Sequence, residues 1–393
     1  MATVANTLAN VMDKILARGL LALREQVILP RLVNRNYETE AREYGDTIDV
    51  PTSTAVAIQA VTPAEADPAP AATTPGKVQI ALDQWYETVP FHLSDKDLKE
   101  IDANRHYLPL QTGEALKSLA NKVNQSIWET YVDAYGYVGT AGTTPFGSNS
   151  DIAVDARKVL NHQLCPKDNR IGILDLTAEA KALKLAEFKD ADKAGDQGVK
   201  VEGEIGRKFG MQWFTDDHVP LHTAGTAGAD TDTIAVDNGA GYAAGIKSMN
   251  IDVDTGTSTF VAGDIFAISH GGTIGDRTYV CTNAGTIDTT GVTVTFEPGL
   301  AAAVADDVEL DFKDDHTVNL AMRRDAIAFV SRPLASGMDN EGLGSMIRTM
   351  GDPVSGLNFR MEVKRQWRQT VFTFDALWGR KMVRPEFACR IAG

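Results

Sequence analysis

From Asn6 to Val27, apolar residues recur at helical spacing: Leu8, Val11, Met12, Ile15, Leu16, Leu20, Leu23 and Val27, with Pro30 stopping the pattern. This predicts an amphipathic N-terminal helix. The stretch RLVNRNYETEAREYGDTIDVP then passes through a basic-aromatic connector into a strand beginning near Thr47. Between Pro51 and Pro75 the chain thins to alanine, threonine and proline with no aromatic residue, a composition that cannot build a core. Strand patterns over residues 47–58 and 77–89 bracket it, so the simplest reading is a long β-hairpin with a poorly packed tip. A flexible interdomain linker is the alternative. Ser94 is placed to cap a short helix and Pro109 to start a longer one. The longer helix carries Leu116, Leu119, Ala120, Val123, Ile127 and Tyr131 on one face, until Gly136 and the GTAGTTPFG run end it.

Residues 151–190 read as a helix ending before Pro166, a short buried strand in NRIGILDLT and a second helix in AEAKALKLAEF with Thr177 as its cap. Helix, strand and helix in succession indicate a mixed α+β layer. The phrase GEIGRKFGMQWFTDDHVP then reads as a turn and a strand. From Leu221 to Thr317 the character changes: helical stripes vanish, and DTIAV, FVAGDIFAIS, RTYVCTN, GVTVTFEP and DVELDF stand between Gly, Asn and Asp clusters. That is the pattern of a small antiparallel barrel. At Val318 the earlier style returns with NLAMRRDAIAFVSRPL, so the β segment interrupts a domain whose two halves are continuous in fold. The C-terminal segment holds two further strands, LNFRMEV and QTVFTFDALWG, joined through KRQWR.

A chain of 393 residues with 43% hydrophobic positions exceeds one core and suits two or three globular units. Its net charge of −15 argues against a general nucleic-acid-binding role. The charge is uneven. Residues 221–317 hold 13 Asp and 2 Glu against 2 Lys and 1 Arg, a net −12, whereas the segment from Leu357 nets +5. Cys165, Cys281 and Cys389 are widely spaced and odd in number, which fits a reducing compartment and small packing roles. The first residues lack a secretory pattern, Ala2 replaces a myristoylation glycine, and no window reaches membrane-span length.

Candidate chemistry is sparse. Asp254, Thr255 and Gly256 spell the DTG of aspartic proteases, but no second copy exists, so catalysis demands a symmetric dimer; a β-turn explains the same letters. His218 and His222 stand four apart beside Asp216 and Asp217, yet Pro220 breaks the helix that a zinc pair needs. Asp252, Asp254 and Gly256 imitate a calcium loop whose last ligand position is Gly263. No phosphate loop, dinucleotide fingerprint or nucleophile elbow occurs. No catalytic, cofactor-binding or metal residue is assigned, and the chain is expected not to be an enzyme.

The RRDAIAFVSRPL phrase after the β segment, and the VRPEFA phrase containing Arg384, Pro385 and Glu386, lie in a fixed order with the N-terminal helix, thin-tipped hairpin and long helix. In that order they cover nearly the whole chain and resemble tailed-bacteriophage major capsid proteins, especially the short-tailed-phage coat family with an inserted β-barrel. The resemblance implies an α+β fold of the Hong-Kong-ninety-seven type. Its divisions are an N-terminal arm (1–45), an extended β-hairpin loop (46–92) and a peripheral domain with a spine helix (93–150). The first part of an axial domain (151–220), the inserted barrel (221–317) and the axial return with C-terminal peripheral strands (318–393) complete it. It implies pentamers and hexamers of one chain closing an icosahedral shell in the virion. The expected partners are a scaffolding protein, a portal protein and loosely held double-stranded DNA, with assembly in the host cytoplasm and no membrane. Candidate inter-subunit contacts are Arg31, Arg35, Arg42, Pro63, Glu65, Asp67, Lys77, Trp85, Arg365 and Arg368. A cellular nanocompartment shell of the same fold, or a dimeric protease using Asp254, are the rival readings.

Overall fold

Aromatic and branched residues alternating over residues 358–382 form the long antiparallel hairpin on which much of the molecule is hung. The computed structural model describes residues 28–37, 47–52, 58, 76–96, 107–189, 205–229, 233–270, 273–334, 345–351 and 357–393. The expected helix over residues 6–27 and the hairpin tip therefore lie outside the described residues. In chain order the body begins with α1 (Leu29–Leu32), β1 (Thr47–Thr52), β2 (Gly76–Ala81), β3 (Gln84–Glu87), β4 (Phe91–Ser94) and α2 (Tyr107–Trp128). It continues with β5 (Gly136–Gly139), α3 (Asp151–His162), β6 (Arg170–Leu174), α4 (Leu176–Ala182), α5 (Ala186–Lys189), β7 (Arg207–Lys208), β8 (Met211–Thr215) and β9 (Leu221–His222). The acidic segment holds β10 (Ile234–Val236), β11 (Ser248–Val253), β12 (Ser258–Phe260), β13 (Ile265–His270), β14 (Thr273–Cys281), β15 (Gly285–Ile287), β16 (Val292–Glu297) and β17 (Leu310–Phe312). The return comprises β18 (His316–Arg323), β19 (Ile327–Arg332), β20 (Ser345–Gly351), β21 (Asn358–Gln366), β22 (Gln369–Met382) and β23 (Ala388–Ala392).

Two sheets build the body. One is mixed, in the order β5-β23-β18-β6-β8-β7 with β9 also on β18. Its central β6 is buried at every position, as the apolar run RIGIL requires of a strand covered on both faces. Ala153, Ala156 and Leu160 of α3, with Ala178 and Ala182 of α4, cover one side together with Phe146 and Trp213. In the other sheet, β22 pairs with β19, β21, β3 and β4, and β20 pairs with β21. The stripe Leu116, Leu119, Val123 and Ile127 of α2 packs in the same core as Phe329, Phe359, Phe374 and Trp378. Tyr131 falls beyond that stripe, in a 3-10 turn (Glu129–Asp133), and is half-buried.

The acidic segment has its own core, including Phe260, Phe266, Ile251, Phe296 and Phe312. Its strands run β10-β11-β16-β14-β13-β17, and Ala235 of the first bridges Glu309 beside the last, so the sheet curls until its edges meet. Sequence reading joined β12 and β13 into one strand. A turn at Val261–Asp264 separates them, with Gly263 at φ +99°. Two other expectations change. The strand read over 77–89 splits at Leu82–Asp83, because β2 pairs with β1 while β3 moves to β22. The crossover is tight: a Cβ on Gly379 of β22 would stand 2.3 Å from the Ala81 carbonyl oxygen. The cap of α4 is Asp175, not Thr177, since its carboxylate accepts the Thr177 and Ala178 N–H groups at 2.9 and 3.2 Å.

The Trp378 indole is fully buried, stacks on Tyr86 at 5.4 Å and donates to Ser126 Oγ at 3.0 Å, tying α2 to the sheet. Trp378→Ala is expected to lower unfolding free energy by about 3–5 kcal/mol, and chemical denaturation of the unassembled chain checks it.

Candidate assembly surface

The β21–β22 hairpin closes with two residues, Trp367 and Arg368, between the paired Gln366 and Gln369. Arg368 takes φ +56°, and its guanidinium lies 4.6 Å from the Trp367 ring centroid. The indole is 82% exposed, and Lys364 to Arg368 all face solvent. Arg365 donates to Asp95 at 2.7 Å and to Thr370 Oγ1 at 3.1 Å, and Asp95 N–H donates to the Arg368 carbonyl at 3.1 Å. The chain leaving β4 is thereby tied to the hairpin tip. The hydrogen bond from Arg365 holds the Asp95 carboxyl below its ordinary range.

A second exposed aromatic lies at the other half of β22. Trp85 of β3, opposite Leu377, donates its indole N–H to Asp375 Oδ2 at 3.2 Å while its ring remains 62% exposed. Asp375 is nearly buried and also takes Arg360 Nε at 3.0 Å and Nη2 at 2.5 Å, a forked pair that fixes the carboxylate. Trp85 is thus anchored at its polar edge and presents its apolar face, with Val89 also exposed beyond β3. By strand rise the two tryptophan positions are about 27 Å apart along β22.

The remaining candidates divide plainly. Arg42, Pro63, Glu65 and Asp67 lie outside the described residues. Arg31 is exposed on α1, and Arg35 Nε and Nη1 are buried with no acceptor among the described residues. Lys77 pairs with Asp49 at 2.9 Å across β1 and β2, an exposed contact of little energetic worth. Lys77, Trp85 and Arg365 therefore each have a partner within the chain. Trp367, missing from that set, was marked in the sequence only by its place between basic residues in a hairpin loop.

The alternative chemistries find no assembled site among the described residues. Asp254 stands exposed in the turn after β11, with Gly256 at φ +79°, without the buried, proton-sharing acid pair of an aspartic protease. His218 faces Asp217 at 2.7 Å, whereas His222 is engaged by Asp264 at 2.8 Å and Tyr131 at 3.0 Å, so the two histidines serve different neighbours. Asp216, Asp217 and His218 cluster, but Asp216 already accepts from Asn124 at 2.8 Å, Trp128 at 3.0 Å and the His218 N–H at 3.0 Å. All three cysteines are buried and free, and burial pushes the Cys281 thiol up.

No protein-family model matches the chain, and no curated protein matches its sequence. Among solved structures, a chain of Mycobacterium phage Che8 superposes with a TM-score of 0.53 at 14% identity, covering 93% of this chain and 91% of that one. The two share one fold. That likeness to a phage chain bears out the resemblance read from the sequence at the level of the fold. Looser superpositions include the capsid of Cyanophage P-SCSP1u, at TM-score 0.48, 12% identity and coverages of 89% and 84%. A virus-like particle from Pyrococcus furiosus follows at 0.44, 9% identity and coverages of 96% and 98%.

Asp375→Ala removes the shared acceptor of Arg360 and Trp85. A loss of about 3 kcal/mol is expected, read from the urea midpoint.

Proposed function

We propose that this chain is the major capsid protein of a tailed phage, many copies of which close as pentamers and hexamers into an icosahedral shell around packaged double-stranded DNA. The fold shared with a phage chain over nearly its full length is the observation that carries the reading. Its role is structural, not catalytic. Within it, α2 is the spine helix, β1 and β2 are the base of the extended loop, residues 1–45 are the arm, and the curled acidic sheet is the inserted barrel. The sheet containing β6 and β18 belongs to the axial domain, and the sheet around β22 to the peripheral domain.

The geometry suits shell closure. In a shell, hairpins and arms laid over neighbouring subunits supply contact area without a large flat apolar patch, and heterologous contacts of this kind close rings. Such contacts are individually weak and collectively strong. A net −12 on residues 221–317 keeps particles apart if that segment faces outward, while Lys364 and Arg368 at the tip suit an acidic neighbour or the interior. A scaffolding protein and portal complete the assembly, with expansion of the precursor shell on packaging. Among the described residues no helix is long and apolar enough to cross a membrane.

Sedimentation and negative-stain microscopy of the chain, alone and with its scaffolding protein, test this. Closed shells or open polyheads are expected, and a persistent monomer in both conditions overturns the reading; closed shells that load cargo with no scaffold favour a nanocompartment. Trp367→Ala is expected to leave monomer stability within about 0.5 kcal/mol while lowering shell yield by sedimentation.

A further inference from the structure

Segment 221–317 leaves and rejoins the body through one two-residue antiparallel ladder, in which Leu221 pairs with Thr317 and His222 with His316. That register sets the two imidazoles side by side, with ring centroids 5.2 Å apart and exposures of 3% and 1%. Each element packed on the joint adds a polar group. Asp264, in the turn before β13, lies 2.8 Å from His222 Nε2, and the Tyr131 hydroxyl lies 3.0 Å from Nδ1. A carboxylate can only accept, so Nε2 carries the proton and Nδ1 accepts from the phenol. The second Asp264 oxygen takes the N–H groups of Val261 and Gly225 at 2.8 and 3.1 Å.

His316 is held differently. Its Nδ1 is 2.8 Å from the Asp314 carbonyl and donates to it, which leaves Nε2 as a buried nitrogen with no partner among the described residues. Tyr137 of β5 stands edge-on to the ring at 5.3 Å. Arg390 of β23, fully buried, spans the joint: it donates to the Gly263 carbonyl at 2.8 Å and the Val132 carbonyl at 3.2 Å, and lies 5.0 Å from the Tyr131 ring centroid. A proton on His316 Nε2 would place a second cation in this closed space, facing no acceptor. Burial first, with the neighbouring Arg390 cation, already holds the imidazole down to about 4 against the opposing pull of the Asp314 carbonyl and the Asp264 carboxylate.

We propose that the His222–His316 pair is a proton-operated latch: neutral His316 locks segment 221–317 against the body, and a proton on Nε2 drives the joint open. The opened ring reaches water, and the ladder between Leu221–His222 and His316–Thr317 parts locally. The direction follows from linkage. An imidazole at its ordinary 6.5 when open and about 4 when closed binds its proton more readily in the open state. Closure is therefore full above pH 6.5 and weakens as pH falls toward 4. Between pH 7 and 5.5 the open fraction rises about eightfold, above the chain's isoelectric point of about 4.9.

Hydrogen exchange with mass spectrometry on the whole, unassembled chain, with labelling times scaled for intrinsic exchange, tests the latch apart from any capsid role. Peptides containing Thr317, Val318 and Gly393, whose amides are hydrogen-bonded across the joint, should exchange about eightfold faster at pH 5.5 than at pH 7. Strands β21 and β22 should keep their protection. His316→Phe keeps a ring against Tyr137 and His222 but cannot take a proton, and should abolish the difference. An unchanged joint, or equal acceleration in the variant, overturns the proposal. If the variant does not fold, carbon-13 spectra of the native His316 ring decide: protonation in step with faster exchange at the joint supports the latch, and protonation with the joint still protected, or a midpoint near 6.5, overturns it.

Discussion

Strand β22 is fourteen residues long, and each of its backbone N–H and C=O groups must be paired or solvated wherever it runs through the interior. Much of the body can be understood as the answer to that demand. Its first half lies between β21 and β4 and its second half between β3 and β19, so no single neighbour covers it. Segments 275 or more positions distant in sequence, such as β3 and β4, are recruited to complete the sheet. The apolar stripe of α2 then seals one face, and the buried Trp378 ties helix and strand together. Because the tip and the far end of one rigid strand each carry an exposed tryptophan nearby, a neighbour gripping either end acts on the same beam.

Polar chemistry enters where separate cores meet. Arg390 is a cation with no exposure, and burial draws its guanidinium down to about 10, yet two backbone carbonyls and an aromatic face offset part of the desolvation. One carbonyl belongs to the body and the other to the acidic segment. Gly263 is needed there twice, for its φ of +99° and because a side chain would press on Val132 and His222 at 3.2 and 3.3 Å. The small cluster of Tyr135, Tyr137, Ile265, Val280 and Ala392 completes the contact with apolar surface.

What was legible in the sequence is what local periodicity encodes. The stripe from Leu116 to Ile127, the fully apolar RIGIL strand, the turn character of Asp254 and the hairpin of β21 and β22 follow from spacing alone. The split of the strand over residues 77–89 does not, because alternation continues through Leu82 while the hydrogen-bonding partner changes from β1 to β22. Thr177 looked like a helix cap because it precedes the apolar stripe, but Asp175 stands directly at the end of β6, where its carboxylate meets the first free N–H groups. Candidate contacts were legible as residue types, not as partnerships: nothing near Trp85 in sequence announces Asp375, and nothing near Arg365 announces Asp95. The pairing of His222 with His316 is equally hidden, since it depends on the path of the whole segment between them.

That path bears on the order of folding. Closing a flexible loop of nearly a hundred residues costs conformational entropy that grows with the logarithm of its length. The acidic segment carries its own core, and its first and last strands are bridged at Ala235 and Glu309. Once that core has condensed, the chain entering at Leu221 and the chain leaving at Thr317 are already brought close together. Strand β18 can then find β6 as if only a short turn lay upstream, which lowers the effective contact order of the body. The large insertion thus acts in the folding chain as a self-closing clasp that shortens the search for the halves it divides.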